Sequence, residues 1–385
     1  MNLIARIKEF APDLTAIRRD LHAHPELGFE EVRTSGIVAD LLQGWGIETH
    51  RHVGKTGVVG VIKGKGPGRS IGLRADMDAL PIQEQTNLPY ASCNSGVMHA
   101  CGHDGHTTML LGAARYLAQT RNFDGRVIVI FQPAEEGLGG ARAMLDDGLF
   151  DRFACDEIYG LHNRPGAAQN HVGIKPGTAM AGADFFDIKV TGRGSHGARP
   201  QASRDPILAA TALVQALQSI VSRNLDPADT AVVSVTQIHS GTAYNVIPGE
   251  AMISGTARMF TDEVRETIRT RIHEIATGIA AAHGVSVEVD IRDIFTPLIN
   301  NEALSQSFAS LAGDVVGQDN VLLGGKPATG SEDFADMLQA VPGAYFTIGH
   351  EGTGALHNAG FTFDDTILPL GATLLARLAE TRTAD

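Results

Sequence analysis

Three histidines, a cysteine and an aspartate fall between His99 and His106 in the stretch "VMHACGHDGHTTML". Cys101 and His103 are two apart. In an extended or loop segment alternate side chains point the same way, so both can reach one metal ion. Thiolate and imidazole suit zinc and other transition metals. A helix predicted directly afterwards sets its positive end beside Cys101 and favours the thiolate. A redox thiol would use the same setting, and a plain polar loop before a helix has the same composition. All three readings stand at this level.

"QPAEEG" places Glu135 and Glu136 after a buried apolar run. Ligands of open α/β sheets bind beyond the carboxyl ends of the strands. One carboxylate can bind metal there while its neighbour acts as general base; the alternative is a solvated acidic loop. "YGLHNRPG" puts His162 at another strand end, and "GALHNAG" puts His357 in a glycine-rich loop. Either histidine alone reads as structural. Together Cys101, His103, Glu136, His162 and His357 all fall at strand ends. Five donors exceed one tetrahedral zinc with an open position and suit two ions sharing a bridge. His99, Asp104 and His106 read as supporting residues, Cys93 and Cys155 as structural. His24, in "LHAHPELGFEE", stands in the least ordinary setting of the other histidines.

The elements that must position these residues follow from periodicity. Apolar residues recur at helical spacing over 2–24. Strands are predicted at 58–64 and 70–76, a helix at 105–119, a buried strand from 126 that ends at Pro133, and a strand at 157–163. Strands alternating with helices predict an α/β sheet with helices on both faces. The pattern changes near 182. Strand 183–194, helix 205–224, strands 230–241 and 250–260, helix 262–283 and strand 285–293 give β-α-β-β-α-β, the order of a ferredoxin-like unit. Residues 182–293 therefore read as a small domain inserted into a larger one formed by 1–181 and 294–385.

The chain's 385 residues exceed what one core usually holds. Hydrophobic residues at 43% and charged residues at 19% are ordinary for a globular protein. A formal net charge of −13 disfavours nucleic acid and anionic membrane as partners, because both need a basic face. Three cysteines argue against a disulfide framework. The first residues lack the apolar core of a signal peptide, and no apolar run is long enough for a membrane span. A cytoplasmic location is expected.

Ten short motifs then occur in a recognisable order: "HPELGFEE", "RADMDALP", "MHACGHDGHT", "QPAEEG", "GLH", "GRGSHGARP", "NVIP", "GTAR", "GSEDF" and "LHN". Over residues of about 15 to 375 the sequence resembles the aminoacylase/carboxypeptidase-like dinuclear metallopeptidases. It is most similar to the branch of hippurate hydrolases and indoleacetyl-amino-acid hydrolases. The resemblance implies a catalytic mixed-sheet α/β domain of the zinc-peptidase type and an inserted α+β lid and dimerisation domain, in a homodimer or homotetramer. It implies two divalent ions, zinc or manganese, with cobalt and nickel compatible. Cys101 would bridge them, His103 and His162 would complete one site, Glu136 and His357 the other, and Glu135 would be the general base. The wider superfamily has His-x-Asp where this sequence has Arg74-Ala75-Asp76, and an aspartate as bridge. His103 would replace that histidine, Cys101 the aspartate, and Asp76 would orient a ligand. The implied reaction converts an N-acyl amino acid, acetyl or aroyl as in hippurate, to a carboxylic acid and a free amino acid. Relatives that deacetylate N-acetyl-diaminopimelate or act as dipeptidases or carboxypeptidases give the alternative. His196 would stabilise the oxyanion, Asn245 and Arg258 would bind the substrate carboxylate, and Gly330 and Ser331 would lie near the acyl group.

Overall fold

The structure is a computed structural model that describes residues 3–384. It divides into two compact units. The larger comprises the described residues of Met1–Ala179, Ile299–Pro327 and Asp333–Asp385; the smaller comprises Met180–Leu298 and Ala328–Glu332. The last piece lies in the part of the chain that periodicity gives to the larger domain. It joins the smaller unit through the Ala181 N–H, which lies 3.0 Å from both the Ala328 and the Gly330 carbonyls.

The larger unit is built on an eight-stranded mixed sheet. Four adjacent strands run parallel: Arg126–Gln132, Ser70–Asp76, Glu157–Pro165 and Gly343–His350. Every residue of Ser70–Asp76 is buried, as expected of a central parallel strand covered on both faces. Gly57–Lys63 adds antiparallel to Arg126–Gln132, and Glu48–Val53 closes that edge. On the other side Val172–Ile174 runs antiparallel to Gly343–His350, and Val321–Leu323 pairs with it in parallel. Glu48–Val53 ("ETHRHV") buries only Val53 fully, so no alternation announces it in the sequence. Arg126–Gln132 stops where proline removes the next backbone donor, at Pro133.

The helix His103–Thr120 is buried for most of its length, and Leu368–Arg382 packs along it. The helical pattern expected over 2–24 is two helices, Leu3–Lys8 and Ala11–Ala23. Pro12 accounts for the break: it has no N–H, and its ring crowds the carbonyl four residues before it, that of Lys8. Residue 2 lies outside the described residues.

The smaller unit has a four-stranded antiparallel sheet in the order Val232–Ser240, Glu250–Met259, Gly182–Thr191, Ser286–Phe295. Helices Pro206–Leu217 and Asp262–His283 pack on it around Phe186, Ile188, Leu213, Ile253, Ile268 and Ile272. This is the ferredoxin-like order predicted from periodicity. Asp205 caps the first helix and Thr261 the second. The expected helix 205–224 is regular only to Leu217; a π turn, Ile220–Asn224, follows.

Candidate metal centre

The carboxyl ends of the four parallel strands converge on one cluster. Cys101 lies in the loop before the helix that begins at His103. Gly102 separates the two donors with φ +93, and a Cβ there would stand 2.3 Å from Asn163 Nδ2, so only glycine fits. His162 sits in the strand Glu157–Pro165, and Glu135 and Glu136 follow the strand that ends at Gln132. His357 lies seven residues after the strand Gly343–His350. Its backbone is left-handed (φ +62), and its N–H donates to the Ala100 carbonyl at 2.9 Å.

One donor atom each from Cys101, His103 and His162 lie within 4.8 Å of one another, and so do those of Cys101, Glu136 and His357. Cys101 is common to both groups. Glu135 is 6% exposed and stands within the same distance of His103 and Glu136. The Asp333 N–H reaches its Oε1 at 3.4 Å.

Hydrogen bonds fix which ring nitrogen each buried histidine offers. His162 Nδ1 lies 2.6 Å from the Asn163 carbonyl and must donate to it, which leaves Nε2 as a lone pair 3.3 Å from Cys101 Sγ. His103 Nδ1 lies 3.1 Å from Asp78 Oδ1, and its Nε2 is buried without a hydrogen-bond partner among the described residues. Asp78 Oδ2 also accepts the Glu136 N–H at 3.0 Å. One carboxylate thus braces a residue of each donor group.

Asp76, expected to orient a ligand, accepts from His106 Nδ1 at 2.7 Å and pairs with Arg74 at 2.7 Å. Its Oδ2 is 3.9 Å from His103 Nε2, beyond a hydrogen bond. Asp76, His103 and His106 also cluster, but His106 has both ring nitrogens engaged, since its Nε2 accepts the Asn163 N–H at 2.9 Å. Asn163 Nδ2 donates to the Cys101 carbonyl at 2.6 Å, and His350 Nε2 lies 2.8 Å from its Oδ1. A buried chain from Asp76 through His106 and Asn163 therefore ends on the Cys101 backbone.

The electrostatics fit cations. Burial pulls the His103 imidazolium down, but the charges of Asp76 and Cys101 more than reverse this and hold its pKa well above the usual histidine value. Hydrogen bonds to Cys101 and Glu136 push His357 up to about 10. Burial, with His106 beside it, holds His162 well below its usual value, as a neutral ligand. Burial raises the Cys101 thiol. The donors thus draw protons onto two histidines, and divalent cations relieve the same charge while releasing those protons. A buried His103 Nε2 without a hydrogen-bond partner among the described residues, set between thiol, imidazole and carboxylate donors, suits divalent transition metals.

The smaller unit carries the other expected residues. His196 lies in a two-residue strand paired with Val246–Ile247, with Asn245 exposed beside that pairing. The Ala198 N–H donates to His196 Nδ1 at 3.0 Å, so the neutral ring carries its proton on Nε2. Arg258 donates to the Thr256 hydroxyl and the Ala257 carbonyl and has no carboxylate partner among the described residues. Asp78 and Asn163 are the residues that sequence reasoning missed. The signal for Asp78 was present: in "RADMDALP" it lies two residues beyond Asp76.

The model of "Peptidase family M20/M25/M40" matches residues 72–381. The hippurate hydrolase of Campylobacter jejuni is 44% identical over 98% of this chain and 99% of its own. The N-acetylcysteine deacetylase of Bacillus subtilis is 41% identical over 97% of each chain. Among solved structures, the YXEP protein of Bacillus subtilis, described as a dinuclear metal binding peptidase from the M20 family, superimposes with a TM-score of 0.84 at 38% identity, over 97% of this chain and 98% of that one. The chain belongs to peptidase family M20/M25/M40.

Proposed function

We propose that this protein is a metal-dependent amidohydrolase that cleaves the amide bond of N-acyl amino acids, with two divalent ions, zinc or manganese, held at Cys101. Its similarity to a hippurate hydrolase and an N-acetylcysteine deacetylase supports that reaction. The observation that carries the reading is the pair of donor groups sharing Cys101 beside the buried carboxylate of Glu135. His103 and His162 would complete one site, Glu136 and His357 the other. Bound ions supply Lewis acidity and bring the pKa of water toward neutrality.

The chain's own groups divide the remaining work. Glu135 takes the proton of the attacking water on a side-chain oxygen and returns it to the departing amine. Asp78 holds the His103 ring and the Glu136 backbone in register. In the smaller unit, the Nε2–H of His196 is assigned to the developing oxyanion. Arg258, a cation without a carboxylate partner among the described residues, and the exposed Asn245 are assigned to the substrate carboxylate. That unit is also assigned the lid and dimerisation roles, which light scattering on the purified protein tests.

Purified protein should release free amino acid, read by ninhydrin, from N-acetyl and N-benzoyl amino acids. Chelation should abolish the release, and added manganese or zinc should restore it. No amine release from any member of that panel by the ion-loaded protein overturns the proposal. Release from dipeptides alone would point to a dipeptidase.

A further inference from the structure

The segment Glu26–Glu31 of "HPELGFEE" contributes to neither donor group, yet it is built against the loop that carries Glu135. Ala134, immediately before Glu135, has φ +52, a left-handed backbone that alanine seldom adopts. Its N–H donates to Glu31 Oε1 at 2.8 Å. Glu31 is fully buried, and its other oxygen accepts from Thr56 Oγ1 at 2.5 Å. The Ala134 carbonyl accepts the Gly140 N–H at 3.0 Å, so the whole peptide environment of this residue is tied. Gly28 packs against the same residue: a Cβ at position 28 would stand 3.0 Å from both Ala134 Cα and Ala134 Cβ.

The segment is itself anchored. Glu26 accepts the N–H groups of Arg33 and Thr34 at 2.9 and 2.8 Å. The Glu26 carbonyl accepts the Ala79 N–H at 2.8 Å, one residue beyond Asp78. Burying a carboxylate costs stability, and burial raises the pKa of Glu31. Such a group persists where its hydrogen bonds hold something that would otherwise relax. Here that is the left-handed turn at Ala134.

We infer that Glu31 is a positioning residue for the hydrolysis, holding Ala134 in its left-handed conformation and so fixing the backbone on which Glu135 stands. The inference rests on the reading of Glu135 as general base. A carboxylate that merely stabilised the fold would lower the melting temperature when removed and leave the rate of the folded enzyme unchanged. A positioning carboxylate acts on kcat.

The test uses the ion-loaded full chain and an N-acyl amino acid that the wild type hydrolyses. Glu31→Ala should lower kcat about 10- to 100-fold, the scale of a small misplacement of a catalytic group, with KM and bound metal little changed. Glu31→Gln should recover most of that rate, because its amide oxygen still accepts the Ala134 N–H and its amide nitrogen can donate to Thr56. Adding Ala134→Gly to Glu31→Ala should also recover rate, because glycine adopts the left-handed turn without strain. A folded Glu31→Ala enzyme with kcat within about twofold of wild type overturns the inference, as does a double variant no faster than the single one. If Glu31→Ala does not fold, Thr56→Val replaces it: a several-fold loss in kcat is expected, and an unchanged kcat overturns the inference. Amide hydrogen exchange of residues 134–140 in the metal-free protein reads the same restraint without activity. Glu31→Ala should speed that exchange and Glu31→Gln should not. Were the wild type to hydrolyse none of the panel, the functional reading would fall, and unchanged exchange would separately remove the positioning role.

Discussion

The two donor groups share Cys101 and differ in almost everything else. His103 is buried and His162 partly so, and each has one ring nitrogen committed to a neighbour, Asp78 in one case and the Asn163 carbonyl in the other. Their free nitrogens are fixed before any ion arrives. The His357 side chain is 52% exposed, and Glu136 is partly so. Their backbones are held, His357 N–H by the Ala100 carbonyl and Glu136 N–H by Asp78, while their side chains lean on each other, His357 Nε2 3.2 Å from Glu136 Oε1, at the more exposed end of the cluster. Ordering a free side chain on binding costs conformational entropy that a fixed one has already lost. The buried group is therefore the tighter of the two proposed ion positions, and the exposed group the more readily emptied.

Glu135→Gln is the largest expected effect, because it removes the base and leaves both donor groups whole. A loss in kcat of about a thousandfold is expected with metal content unchanged, measured by turnover and atomic emission on the same sample. Near-normal turnover would remove Glu135 from the chemistry. Asp78→Asn comes next. Because Asp78 braces His103 and the Glu136 backbone together, both ions should bind about 10- to 100-fold more weakly, read by chelator competition. Weakening confined to one ion would show that the groups are braced separately. His357→Ala should then empty one position after dialysis and retain the other, whereas His103→Ala should lower occupancy further at the same free metal. The reverse order would break the comparison of buried and exposed halves.

How much of this was legible in the sequence depends on distance along the chain. The two-domain α/β reading and the ferredoxin-like insertion came from periodicity, because buried parallel strands such as Arg126–Gln132 carry continuous apolar runs. The edge strand Glu48–Val53 gave no such signal. The donors could be suspected because cysteine, histidine and glutamate at strand ends have few bland explanations in combination. Their supports could be named only in part, and the contacts they make could not. Asp76 and Asp78 are both acidic and lie two apart at one strand end, so spacing alone does not say which of them meets His103. Glu31 meets Ala134 across about a hundred residues, and nothing local to either position signals the pairing. His196, Asn245 and Arg258 were named through the resemblance, and the smaller unit sets them on exposed or half-exposed backbone where periodicity says nothing.

The smallest effect concerns the thiols and returns to the redox alternative. Cys93 is exposed, Cys155 is partly shielded, and Cys101 is buried between the donor groups. Burial pushes the Cys155 thiol up to about 12 and raises that of Cys101 as well. The thiolate is the reactive form, so a raised pKa means less of it at a working pH near 8. The folded protein should therefore react rapidly with a disulfide reagent at Cys93 alone. Ion binding should protect Cys101 further, and unfolding should expose all three. A metal-free Cys101 that reacts as fast as Cys93 would contradict both its burial and its raised pKa. It would also restore the redox reading of "HACGHDGH", because a redox thiol must be reached from solvent, while a bridging thiolate need only be reached by ions and substrate.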